Sequence, residues 1–73
     1  MRYIIYCLDN YVYIVDTVTW MEYDQRMNFS GISWKDERHF ELIKQQFKPC
    51  YIEEVEAVDL EDVFSKIPVE LYL

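Results

Sequence analysis

Met1–Trp20, MRYIIYCLDNYVYIVDTVTW, holds two runs rich in β-branched and aromatic residues, separated by Asp9-Asn10. Met1–Leu8 is too short for a convincing helix and reads as a strand. Asp and Asn tolerate positive φ, which a tight hairpin turn demands. Tyr11–Trp20 then reads as the returning strand of an antiparallel hairpin. Neither strand alternates cleanly between apolar and polar. Tyr3, Ile5 and Cys7 fall on one face, while Ile4, Tyr6 and Leu8 fall on the other. A sheet apolar on both faces is covered on both, by helices or by a second copy of the chain.

Downstream, Met21–Ile32 carries little periodicity, and Arg26–Ile32 (RMNFSGI) reads equally as a short strand, with Gly31 at a turn or bulge, or as a connecting loop. Ser33 precedes Trp34, with Asp36 three residues on, an arrangement suited to an N-cap. Phe40, Ile43 and Phe47 then recur at helical spacing and Leu42 widens the stripe, which predicts a helix over about 34–47 ended by Lys48-Pro49. Cys50–Val58 (CYIEEVEAV) reads as a strand. Asp59 is placed to cap a short helix, Leu60–Ile67, stopped by Pro68, and Val69–Leu73 is a short strand or an ordered tail. The order β-β-(β)-α-β-α predicts one small α+β domain over residues 1–73, with a mainly antiparallel sheet and two helices.

Seventy-three residues hold one domain, whose core supplies only about 3–5 kcal/mol without help from disulfides, metal or oligomerisation. A chain that is 52% hydrophobic is too apolar to be disordered, and it exceeds what a small monomer easily hides. A homodimer is therefore expected; the alternative is a monomer with several half-exposed tyrosines. The start lacks a secretory pattern, because Asp9 ends the apolar run after Arg2, and no stretch approaches the roughly 20 apolar residues of a membrane span. A cytoplasmic protein with Cys7 and Cys50 reduced is expected.

The net charge of −7 argues against direct contact with nucleic acid or anionic membrane, where cationic side chains supply the attraction. Residues 26–48 are basic on balance. The acid concentrates after residue 49, where Glu53, Glu54, Glu56, Asp59, Glu61 and Asp62 occur within ten positions without a Lys or Arg. Val55, Ala57, Val58 and Leu60 interleave them, so the segment folds and holds its charges in a pattern, unlike a solvated acidic tail.

Catalytic chemistry finds little support. His39 is the only histidine and reads as a helix-surface residue, and Cys7 reads as a small core side chain. Glu54 with Glu56, and Asp59 with Asp62, have spacings that suit hard cations, but there is no EF-hand pattern and no zinc set. Gly31 is the sole glycine, so no phosphate loop exists. Neither an enzyme nor a cofactor is expected.

One reading of the acidic segment is a solvated face of a strand and helix. Against it, uncompensated like charge destabilises a marginal domain. Residues two apart on a strand also lie roughly 6.6 Å apart on one face, a coarse match to the repeated charges of a nucleic-acid strand. Tyr51, Phe64 and Tyr72 flank the segment; core packing accounts best for Phe64, and Tyr72 reads as an exposed anchor.

In its single short domain, its carboxylate cluster from Glu53 to Asp62, its aromatic-rich strands and its lack of a catalytic motif, the chain resembles the small acidic proteins that bacteriophages make against host machinery. Several of these are DNA mimics, and the chain looks most like a phage inhibitor of the bacterial DNA sliding clamp. That resemblance implies a compact acidic dimer acting in the host cytoplasm, seated in the basic channel where duplex DNA passes and blocking replication. Glu53, Glu54, Glu56, Asp59, Glu61 and Asp62 would replace phosphates, with Tyr72 as anchor. Gln45-Gln46-Phe47 and Leu60–Phe64 are poor versions of the peptides that dock in the clamp's partner pocket, so the channel is the expected site. The competing expectation is an interaction protein without mimicry, such as an anti-CRISPR, anti-sigma factor or antitoxin, that binds through an apolar surface or a sheet edge.

Overall fold

A computed structural model describes residues 1–72, with side chains through Leu71. Its first hairpin follows from Asp9 and Asn10, both left-handed at φ 52° and 68°, the combination a two-residue turn needs to match the twist of its strands. They join β1 (Arg2–Leu8) to β2 (Tyr11–Asp16) in a register that sets Leu8 opposite Tyr11 and Tyr3 opposite Asp16.

The second run stops at Asp16 rather than continuing to Trp20. The Asp16 carboxylate accepts the N–H groups of Val18 (2.8 Å) and Thr19 (3.3 Å), turning the chain into β3 (Met21–Asp24). Asp24 does the same, accepting from Arg26 (2.8 Å) and Asn28 (3.1 Å) before β4 (Phe29–Ser33). Segment 26–32 thus contains most of a strand. Gly31 takes φ +93°, and the β3–β4 pairing shifts register between Met21 and Tyr23.

The first helix, α1 (Glu37–Phe47), begins three residues later than its apolar stripe suggests. Ser33 is the last residue of β4, and the Trp34 N–H still bonds back to the Trp20 carbonyl at 2.8 Å. The cap is therefore Asp36, whose carboxylate accepts the His39 N–H at 2.8 Å. Lys48 turns left-handed at φ 52°, returns its N–H to the Lys44 carbonyl, and Pro49 prevents continuation.

β5 (Tyr51–Glu56) and α2 (Leu60–Ser65) are each shorter than expected, and Val69–Tyr72 forms a 3₁₀ turn rather than a strand. α2 stops at Ser65 because Lys66 and Ile67 close tighter i→i+3 bonds to Val63 and Phe64 ahead of Pro68.

The result is a five-stranded antiparallel sheet in the order β4-β3-β2-β1-β5, with chain order β-β-β-β-α-β-α: a small α+β fold. Its two apolar faces are covered by its own helices. On one, Tyr3, Ile5, Val12 and Ile14 meet Ala57, Val63 and Ile67 of the α2 region. On the other, Ile4, Tyr6 and Val15 meet Trp34 and Phe40. Ile5, Val12, Ile14 and Val15 are fully buried, each contributing about 1.5–3 kcal/mol through removal from water. A second copy is not required to cover the sheet.

Candidate partner-binding surface

Among the described residues β5 pairs only with β1, so its outer edge is open there. The adjacent Glu53 and Glu54 place carboxylates on both faces of this strand, tolerable only because water reaches both sides of an edge. Cross-strand pairing sets Glu54 beside Ile4 and Glu56 beside Arg2 on the α1 side, and Glu53 beside Ile5 on the α2 side. Glu53 accepts the Tyr51 hydroxyl two residues away, and this bond pushes the Tyr51 pKa up to about 12. All three glutamates are exposed.

The acid run continues into the start of α2. Asp59 caps it by accepting the Asp62 N–H at 2.9 Å, and Asp62 reaches back to the Val58 N–H at 3.1 Å, a reciprocal cap of the capping-box kind. The Val58 hydrogen bond, then Lys66, holds the Asp62 carboxyl below its usual range. Asp59 and Glu61 are exposed. The side chain of Tyr72, expected as an anchor, lies outside the described residues. Tyr51 and Phe64 pack against the core on the α2 side.

The fold corrects one expectation about this charge. The segment contains no base, yet tertiary structure brings three cations to it: the Met1 amine lies 3.6 Å from Glu56, Arg2 lies 3.8 Å from Glu54, and Lys66 lies 3.3 Å from Asp62. These pairs are solvent-exposed and each contributes at most about 1 kcal/mol. They halve the local charge without covering it. Glu53, Asp59 and Glu61 make no ion pair among the described residues.

Helix α1 lengthens the acidic surface. Glu37 and Glu41, one turn apart, join Glu54 around a cleft of about 210 Å³ whose apolar lining is Ile4, Phe40 and Ile52. Phe40, Glu41 and Ile52 also line a neighbouring cleft of about 430 Å³, with Lys48 and Pro49 at the far end of α1. The two clefts run along the α1–β5 junction. Carboxylates around an apolar lining suit the long side chains of Arg and Lys, whose stems pack while their heads pair. No group of three or more His, Cys, Asp or Glu side chains among the described residues is placed to hold a metal ion.

Beneath the groove lies a charged cluster that periodicity does not reveal. Lys44 and Glu22 are 4% and 1% exposed. The Lys44 ammonium donates to the Tyr6 hydroxyl at 2.7 Å and lies 3.9 Å from Glu22, while Tyr6 and Ser30 (2.8 Å) both donate to the Glu22 carboxylate. Lys44 also sits over the rings of Tyr6 (3.9 Å) and Trp34 (4.5 Å). Burial lowers the Lys44 pKa, with Glu22 opposing, and burial followed by the Glu22 hydrogen bond drives the Tyr6 hydroxyl well above its ordinary value. This cluster ties α1 to β1 and β3 of the sheet. The expected stripe is corrected in the same place: Phe40 is buried and Ile43 half-buried, but Leu42 and Phe47 are more than half exposed, and Lys44 takes the inward position. Lys44 falls at i+4 from Phe40, so periodicity puts it on the inward face but names no partner for its charge.

His39 is the third residue of α1, half-buried, with its ring edge-on to Trp34 and its Nδ1 accepting the Lys35 N–H at 3.3 Å. No helix among the described residues is long and apolar enough to cross a membrane. Comparison with protein-family models, with curated proteins and with solved structures finds no match to this chain.

Proposed function

We propose that this protein is a stoichiometric inhibitor that binds a basic DNA-binding protein of a bacterial host through its carboxylate-rich edge, standing in for DNA. The sliding clamp is the specific target, with the acidic edge seated in the DNA channel and replication blocked in the host cytoplasm. The observation that carries this reading is the exposure of Glu53, Glu54 and Glu56 on the open edge strand and of Asp59 and Glu61 at the start of α2, extended by Glu37 and Glu41 from α1. Same-face residues Glu54 and Glu56 repeat charge at roughly 6.6 Å along a strand. Such a surface associates fast with a cationic partner and loses affinity as salt screens it. Binding, not catalysis, is the proposed activity, and the active form is a homodimer.

Affinity capture from bacterial lysate, with and without excess duplex DNA and read by mass spectrometry, tests the reading. A captured DNA-binding protein that duplex displaces supports mimicry. Capture indifferent to duplex and to salt favours a second reading, an anti-CRISPR, anti-sigma or antitoxin-like protein that binds without mimicry. That reading draws on the opposite edge of the sheet, where uncharged β4 exposes half of Phe29 and 42% of Ile32.

A further inference from the structure

Cys7 lies in β1, fully within the sheet, and Cys50 lies in the connection that leads from α1 into β5. Strand pairing sets Cys7 opposite Tyr51. The Cys50 N–H nevertheless also reaches the Cys7 carbonyl, at 3.1 Å, so residues 50 and 51 both face Cys7. The Cys50 Sγ also donates to the Cys7 carbonyl, at 3.5 Å. Burial first, then the neighbouring Cys50 thiol, raises the Cys7 pKa. Cys50 is exposed and Cys7 buried, and both are free thiols. A disulfide spans Cα atoms about 4.4–6.8 Å apart, and the Cys50 N–H and Sγ, both bonded to the Cys7 carbonyl, set the two residues side by side.

We propose that Cys50 and Cys7 form an oxidation site that closes to an intramolecular disulfide when the protein meets hydrogen peroxide. The exposed Cys50 thiolate attacks a peroxide oxygen, the O–O bond breaks, and the product is the Cys50 sulfenic acid with hydroxide leaving. The Cys7 sulfur then attacks the Cys50 sulfur, forming S–S and breaking S–O, with water as the leaving group. Two thiols and one peroxide give one disulfide and two waters; the sulfurs lose two electrons and peroxide gains them. Cys7 is out of reach of bulk oxidant and acts only as the resolving partner. The new bond ties β1 to the α1–β5 connection, beside Pro49 and Ile52 at the wide end of the groove. This inference rests on the fold and is independent of the identity of the binding partner.

The test exposes the reduced full-length protein to hydrogen peroxide, alkylates it under denaturing conditions, and measures intact mass and non-reducing peptide maps. The expected product is a single chain that has lost two hydrogens, takes no alkyl group, joins the Cys7 and Cys50 peptides, and melts at a higher temperature than the reduced form. In Cys7→Ala, Cys50 carries on to sulfinic acid; in Cys50→Ser, Cys7 stays a thiol. Chains linked to each other, or wild-type Cys50 carrying two oxygens while Cys7 remains alkylatable, would overturn the proposal. The wild-type measurement stands even where Cys7→Ala fails to fold.

Discussion

Replacing Lys44 with Met removes the only cation within 4 Å of Glu22 among the described residues while keeping a long, flexible apolar side chain in place. Glu22 is 1% exposed and retains hydrogen bonds from Tyr6 and Ser30, so the variant leaves a solvated-state charge stranded in the interior with two donors and no counter-ion. Breaking a buried pair on one side costs about 3–5 kcal/mol. Because two donors remain, we expect the low end, about 3 kcal/mol. A domain of this size is stable by only about 4–11 kcal/mol, at about 0.05–0.15 kcal/mol per residue. Loss of Lys44 therefore takes a large share of the total. In thermal melts the expected drop is about 12–24 °C, at about 4–8 °C per kcal/mol, and urea titration should show a lower midpoint at unchanged slope. The double variant Glu22→Gln/Lys44→Met removes both charges and should recover to within about 1 kcal/mol of wild type. A single-variant loss under about 1 kcal/mol, or losses that simply add in the double variant, would show that the cluster does not act as a buried ion pair.

Three further outcomes follow from the geometry. Asp62 has a depressed pKa in the fold, so its contribution is complete above its ordinary value of 3.8 and fades as pH falls through the lower folded value; Asp62→Asn should flatten the acid limb of a stability-versus-pH curve. Tyr51 titrates late, so its contribution is complete below pH 10 and is lost as pH rises through about 12. Tyr51→Phe should remove that share of the alkaline loss, and the wild-type tyrosinate absorbance should retain one late step that the variant lacks. Glu54→Gln/Glu56→Gln breaks two exposed ion pairs and should shift stability by less than about 1 kcal/mol. The same change should weaken partner binding and flatten its salt dependence, read by titration at rising ionic strength.

The parts of the fold legible in the sequence are those decided locally. Asp9-Asn10 names its own turn, Phe40 marks the inward face of α1, and Asp59 and Pro68 bracket α2. β3 is illegible, and β4 reads equally as a strand or a loop, for a physical reason. Their turns are built by the carboxylates of Asp16 and Asp24 bonding to backbone, and β3 buries a glutamate that alternation assigns to solvent. Lys44 is misread for the matching reason, since each of the two buried charges makes sense only beside the other. For the candidate surface, the cluster from Glu53 to Asp62 is plain in one dimension. Its neutralisation by Met1, Arg2 and Lys66, and its extension by Glu37 and Glu41, depend on β5 pairing with β1 next to α1, which no local pattern encodes.

The central claim is that the acidic edge takes the place of DNA on a basic partner. The most direct measurement titrates the protein onto purified bacterial sliding clamp, with duplex DNA as competitor and the Glu54→Gln/Glu56→Gln variant alongside. The account predicts saturable binding that duplex displaces, that weakens steeply with salt, and that the variant loses in large part. Absence of binding, or binding unmoved by duplex and by neutralisation, would contradict it.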